Sequence, residues 1–293
     1  MIVTLIVGPI AGLIYISNNP EIFATNVTEA LRHAGPTHLS LTNGLKGLGA
    51  GVVIVSGFSW FFGYLGGLPQ LSLRFMAISD ERQARKARNI GIAWTLVAYV
   101  GAILIGLIGL AIFGPGTLSD QEYVMPAVIL RIFPPYLAAF LIVGAIAAMI
   151  STADSVLVLS STEMSENLVK PFRKSMDQRK GLRQSRYITA ILAAVALLIA
   201  YISPQKLIFT LVGYVWAGIG CTFSVVILLT LFWKRYHGRA AVITILSGLI
   251  FTILWISLGF DQTIISVRFA NFAFTLLVAI ATTYVVKPGV PKG

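Results

Sequence analysis

Residues 90–113 run for 24 positions without a charged side chain. About 20 mostly apolar residues in a helix cross the hydrocarbon core of a bilayer. Seven further mostly apolar runs fall at 2–17, 47–67, 136–161, 187–203, 206–233, 240–259 and 264–286. No water is available in hydrocarbon to bond a peptide group, so such runs must be helical. The fold class is therefore an all-α polytopic membrane protein with about eight transmembrane helices. Length alone, 293 residues, would also fit one or two soluble domains. Composition excludes that: charged residues make up 11% of the chain, against roughly 25% in soluble domains. The run at 2–17 lacks a basic lead-in and a small-residue cleavage site, so it does not read as a signal peptide. A single cysteine, Cys221, forms no intrachain disulfide.

The formal net charge of +11 raises the question of nucleic acid, and its distribution answers it. Of the 22 Lys and Arg residues, 17 lie in the alternate connections 68–89, 162–186, 234–239 and 287–293. Basic residues gather in cytoplasmic loops. This charge therefore reads as orientation and contact with anionic lipid, with both termini cytoplasmic and the chain multi-pass in the plasma membrane. The segments 18–46 and 114–135 then lie outside. The second is rich in proline around an amphipathic piece, VMPAVILRIF, placed to act as a lid. Segment 162–186 reads as a solvated cytoplasmic helix and linker.

Polar residues inside the runs are the candidates for chemistry. Within AAMISTADSVLVLSS, helical spacing puts Ala148, Ser151, Thr152 and Ser155 on one stripe with Gly144. Adjacent hydroxyls and a nearby carbonyl are hard oxygen ligands, suited to a small hard cation. The same pattern also fits hydroxyls bonded one turn back along the helix, or helix-to-helix glue. Asp154 is an acid at membrane depth, a functional candidate by default. With Ser155 it marks an ion pathway, and a structural hydrogen bond is the other reading. In the run 47–67, Ser56, Trp60 and Tyr64 recur on one face, followed by Gly63, Gly66, Gly67 and Pro69. Glycine and proline weaken a helix, so a broken helix beside an aromatic pair is expected, a solute pocket in outline. An interfacial aromatic belt is the alternative. Gly213, Ala217, Gly218 and Gly220 make a smooth packing surface around Tyr214 and Trp216. There is no P-loop, and the three histidines are scattered in connections. No nucleophile elbow or carboxylate pair lies in a run, so an enzyme is not expected.

The three stretches GYLGGLPQLSLRFMA, AAMISTADSVLVLSS and LVGYVWAGIG, in this order, resemble the sodium:solute symporter family, with its proline-transporting branch nearest. The resemblance runs from about residue 1 to 286. It implies a LeuT-type inverted-repeat fold, present in part, with alternating access around a midplane site. It implies Na⁺ as coupling ion, held by the hydroxyls of Ser151 and Thr152 and the carbonyl of Ala148. It also implies a small solute, proline or a related amino acid or carboxylate, at Trp60, Tyr64 and Pro69. GGLPQ stands where the proline carriers have a GQPH-like run, which admits other small carboxylates. On alignment the chain begins inside the fifth core helix. The expectation is thus that an N-terminal segment is supplied by a full-length protein and that this chain by itself does not transport. Two other readings are a membrane sensory module of symporter-like fold and a proton-coupled carrier using Asp154.

Overall fold

A computed structural model describes residues 2–169, 178–203 and 207–288. Among them every regular element is helical. In chain order the α-helices are α1 (Ile2–Asn18), α2 (Val27–Ala34), α3 (Leu48–Phe58), α4 (Trp60–Gly63), α5 (Pro69–Met76), α6 (Glu81–Phe113) and α7 (Val124–Ile132). They continue with α8 (Pro135–Glu163), α9 (Gln178–Ile202), α10 (Ile208–Val215), α11 (Thr222–Phe232), α12 (Gly238–Ser257), α13 (Phe260–Thr263) and α14 (Val267–Val285). One π-helical turn, Met164–Val169, extends α8, and another, Trp216–Cys221, joins α10 to α11. Among the described residues six helical spans are long and apolar enough to cross a bilayer, and Ile2–Asn18 and Leu48–Gly63 are shorter apolar helices. These occupy the eight runs read from the sequence. The segment 162–186 is helical on both flanks, while its centre, 170–177, lies outside the described residues.

The chain divides into two compact units, Met1–Leu39 with Asp80–Pro204, and Ser40–Ser79 with Gln205–Gly293. The first is organised by α1 against α6. Small residues set their approach: a Cβ on Gly12 would lie 2.7 Å from Ile108, and one on Gly101 2.1 Å from the Leu5 carbonyl oxygen. Ile16, Ile105, Ile108, Ala111 and Val128 form the buried cluster. Helix α7 joins this core through Val128, while its neighbour Ile129 packs in a second cluster with Ala138 and Leu141 of α8. The segment 114–135 is therefore anchored in its own unit. Helix α6 starts nine residues ahead of the apolar run at 90 because the Asp80 side chain caps it, accepting from the Gln83 N–H at 2.8 Å.

Helix α2 shows how such a short element is held. Asn26 caps it by accepting from the Glu29 N–H at 2.9 Å. The Glu29 carboxylate reaches back to the Thr25 N–H (2.9 Å) and hydroxyl (2.7 Å), a relative of the capping box. The Thr25 hydroxyl, then its N–H, hold the Glu29 carboxyl below its usual range, with His33 adding to them. A lowered folded-state pKa stabilises the cap above the ordinary glutamate range, near 4.3, and this is lost as pH falls through the lowered value. The protection of the Val27–Ala34 amides, relative to their intrinsic exchange at each pH, is accordingly expected to fall in acid. Glu29→Gln should show the lowered protection already at neutral pH, with little further change in acid. An acid-insensitive wild-type helix would contradict this.

In the second unit α12 and α14 pack as an antiparallel pair, with Thr244, Gly248 and Thr252 of α12 and Asn271, Thr275 and Ala279 of α14 buried. Gly248 lets them close: its Cβ would fall 2.6 Å from the Thr222 hydroxyl and 2.9 Å from that of Thr275.

Candidate functional site

Two groups of predicted residues stand in the structure, one in each unit. In the second unit the helix that begins at Leu48 stops at Gly63 and resumes at Pro69. The break is legible in its bonds. The Tyr64 N–H donates to Phe61, three residues back, so the Trp60 carbonyl loses its helical donor. The Trp216 indole N–H supplies one at 3.0 Å. Gly66 takes φ +99°, a conformation suited to glycine, and its carbonyl accepts from the Ser72 hydroxyl at 2.6 Å. The Gly67 N–H donates to the Ser224 hydroxyl at 3.0 Å. Each of these three interrupted backbone groups is thus met by a side chain, which is what apolar surroundings require. Gly220 and Ser224 lie near the middle of the Ile208–Phe232 span, so the break sits at membrane depth.

The aromatic residues read from the sequence converge here. Trp60 is half-buried, its ring 5.7 Å from that of Trp216 and 5.3 Å from Phe209. Tyr64 meets Trp216 edge-on at 4.6 Å. Ser56, on the same face, accepts from the Ser266 N–H at 3.4 Å. Pro69 opens α5 and is exposed; its ring needs no N–H partner in a first turn.

Opposite the break, the π-helical turn Trp216–Cys221 disturbs the ladder of its own helix. The Thr222 N–H bonds Ile219, three back. The Ala217 carbonyl accepts instead from Asn271 Nδ2 at 2.6 Å, and the same amide donates to the Thr222 hydroxyl at 2.9 Å. The Thr275 hydroxyl donates to Asn271 Oδ1 at 3.1 Å. Asn271, Thr275 and Thr222 are each 0% exposed.

Sequence reasoning missed two of these residues. Asn271 sits in an apolar run as its only amide side chain, a signal that was available. Arg268, one of the five basic residues outside the alternate cytoplasmic connections, lies in the first turn of α14, its guanidinium carbon 4.3 Å from the centre of the Trp60 ring and its Nε donating to the Ser59 hydroxyl at 3.1 Å.

In the first unit Ala148 and Thr152 of α8 line a largely apolar cleft of about 190 Å³ with Thr4, Leu5, Met125, Ala145 and Met149. The Thr152 hydroxyl donates to the Ala148 carbonyl at 3.0 Å, and the Ser155 hydroxyl to that of Ser151 at 2.8 Å. This is the back-bond of hydroxyls in membrane helices. The Ala148 carbonyl, which inside α8 also takes the Thr152 N–H, is then doubly bonded, while the Thr152 hydroxyl oxygen keeps its own lone pairs. Ser151, Asp154 and Ser155 are exposed and do not line the cleft. Among the described residues there is no cluster of three His, Cys, Asp or Glu side chains able to hold a metal.

These features define a class, helical membrane proteins with a discontinuous spanning helix. Within it the affiliation is specific: a match to the sodium:solute symporter family extends over residues 1–248. Sodium/proline symporters of Staphylococcus aureus are 34% identical over 268 residues, 87% of this chain and 51% of theirs. Those of strains USA300 / TCH1516 and JH9 match to the same extent. The chain belongs to the sodium:solute symporter family, and it spans about half the length of the curated relatives it matches.

Proposed function

We propose that the protein acts in sodium-coupled symport, importing a small organic solute across the plasma membrane by alternating access, with both ends of this chain cytoplasmic. Proline, or a related amino acid or carboxylate, is the solute. Na⁺ is held by the Ala148 carbonyl and the Ser151 and Thr152 hydroxyls, with Asp154 and Ser155 along its path. The solute meets Trp60 and Tyr64 at the helix break that Pro69 closes. The observation that carries this reading is the break at membrane depth, with its backbone groups bonded by side chains. It is a site where side chains already substitute for helical bonds, in a chain of a symporter family. Aromatic walls suit an apolar ring, and the tyrosine hydroxyl orients a polar group. Trp60 and Tyr64 converging on Trp216 support the solute role. The lone pairs that the Thr152 hydroxyl keeps, at the wall of the cleft, support the ion role.

The test is uptake of labelled proline, pantothenate, short monocarboxylates and sugars by cells expressing the intact gene, with and without a Na⁺ gradient. Uptake is expected to require Na⁺. In Ser151→Ala/Thr152→Ala the half-saturating Na⁺ concentration should rise about tenfold or more, equivalent to ~1.4 kcal/mol. Na⁺-independent uptake, or a double variant indistinguishable from wild type, would remove the ion assignment.

A further inference from the structure

Arg268 has no carboxylate within salt-bridge distance among the described residues. The nearby acid Asp261 spends an oxygen on the Val267 N–H at 2.6 Å. A cation in the first turn of a helix opposes the macrodipole, and a charge in a spanning segment is costly unless partnered. Two contacts offset part of this, the Trp60 ring face and the Ser59 hydroxyl. Neither neutralises the charge. Both hold the guanidinium still, and Gly213 leaves it room, since a Cβ there would fall 2.8 Å from Nη1. Because Nε is already bonded, the remaining donors are the two Nη groups, the end of the guanidinium that meets a carboxylate in paired parallel hydrogen bonds. Asp261 acts on the guanidinium only through space, and a rigid fork with no acid in salt-bridge contact, laid on the wall of an aromatic cluster, is a preorganised anion receptor.

We propose that Arg268 is the carboxylate-recognising residue of the solute site. Its Nη fork takes the carboxylate of the solute, while Trp60, Tyr64 and Trp216 take the apolar body. The solute class is then a small carboxylate with an apolar ring or chain. The inference rests on the solute role given above to the Trp60 cluster. A lipid phosphate offers the same kind of oxygen pair, but the fork lies against Trp60 and Gly213, beside the helix break, which favours a solute.

The test is equilibrium binding to the intact gene product in phosphatidylcholine nanodiscs, read by tryptophan emission and needing no ion gradient. The probes are L-proline and propionate against their amides, L-prolinamide and propionamide, which lack the carboxylate, repeated with phosphatidylglycerol added. Carboxylates, and not amides, are expected to shift emission saturably. Arg268→Gln should weaken this about 10- to 100-fold, the range for a hydrogen-bonded charged group, and abolish discrimination against the amides. Arg268→Lys, which keeps the charge without the planar fork, should fall between. Equal binding of acids and amides by wild type, no response to any carboxylate, a response only to phosphatidylglycerol, or unchanged carboxylate binding in the glutamine variant would each overturn the proposal. If the glutamine variant does not fold, the wild-type ratio of acid to amide binding decides. Carboxylate binding that survives without Na⁺-driven uptake would sink the coupling reading and leave Arg268 its role; uptake without carboxylate selectivity would do the reverse.

Discussion

Gly67→Ala is expected to prevent the broken helix from docking against its partner. A Cβ at this position falls 1.8 Å from the Gly220 carbonyl oxygen and 2.6 Å from both the Ser224 N and Oγ atoms. The first obstacle is backbone, which cannot swing aside as a side-chain tip would. Overpacking a closed contact costs about 1–3 kcal/mol, and a rigid obstacle puts this case at about 3 kcal/mol or more. The Gly67 to Ser224 hydrogen bond is strained by the same displacement. A melting transition lowered by roughly 6–12 °C is expected, with uptake lost. Gly51→Ala is the control, since a Cβ there meets nothing within 4 Å; its melting should be no lower than wild type and its uptake unchanged. A Gly67→Ala protein as stable as the control would show that the two backbones do not approach as described.

Asn271→Leu is the second large effect, and it keeps the number and branching of the side-chain heavy atoms. Substitution removes the donor to the Ala217 carbonyl and to the Thr222 hydroxyl, and the acceptor for the Thr275 hydroxyl. All three groups are left in a buried site. An orphaned buried group costs about 1–3 kcal/mol, whereas single hydrogen bonds in a membrane protein average about 0.6 and reach about 1.7 kcal/mol. A net loss of about 2–4 kcal/mol follows. The double variant N271L/T275V should regain part of it, because one orphan is removed along with its partner. If the double variant is less stable than N271L, the network is not what stabilises this site.

These two positions also show what a sequence alone discloses. Apolar runs locate spans because hydrocarbon enforces them: 136–161 became Pro135–Glu163, and 240–259 became Gly238–Ser257. The break after Gly63 was legible because glycine and proline act locally. The convergence of Trp60, Tyr64 and Trp216 was only half legible, since a helical face says which residues point together and not what they meet. The π-helical turn left no local mark. Its stability comes from Asn271, 54 residues from the Ala217 carbonyl it bonds, and no window of sequence contains both. The contacts of Arg268 were hidden for the same reason. Its meaning lies in Ser59 and Trp60, more than 200 residues earlier in the chain. On α8 the hydroxyl spacing was legible and its use was not, because a back-bonded threonine and an ion ligand begin from the same rotamer.

The broken helix also has a history in time. Its indole donor, Trp216, lies 156 residues downstream of the Trp60 carbonyl it satisfies, and the hydroxyl for Gly67 lies 157 downstream. At a synthesis rate of about 5–20 residues per second, roughly 8–30 s pass between the emergence of the interrupted helix and that of its partners. Throughout that interval the exposed peptide groups of the break have neither Trp216 nor Ser224 to receive them. Biogenesis of this half of the protein therefore depends on a shelter for that helix, at the insertion machinery or the membrane surface, until the later spans arrive.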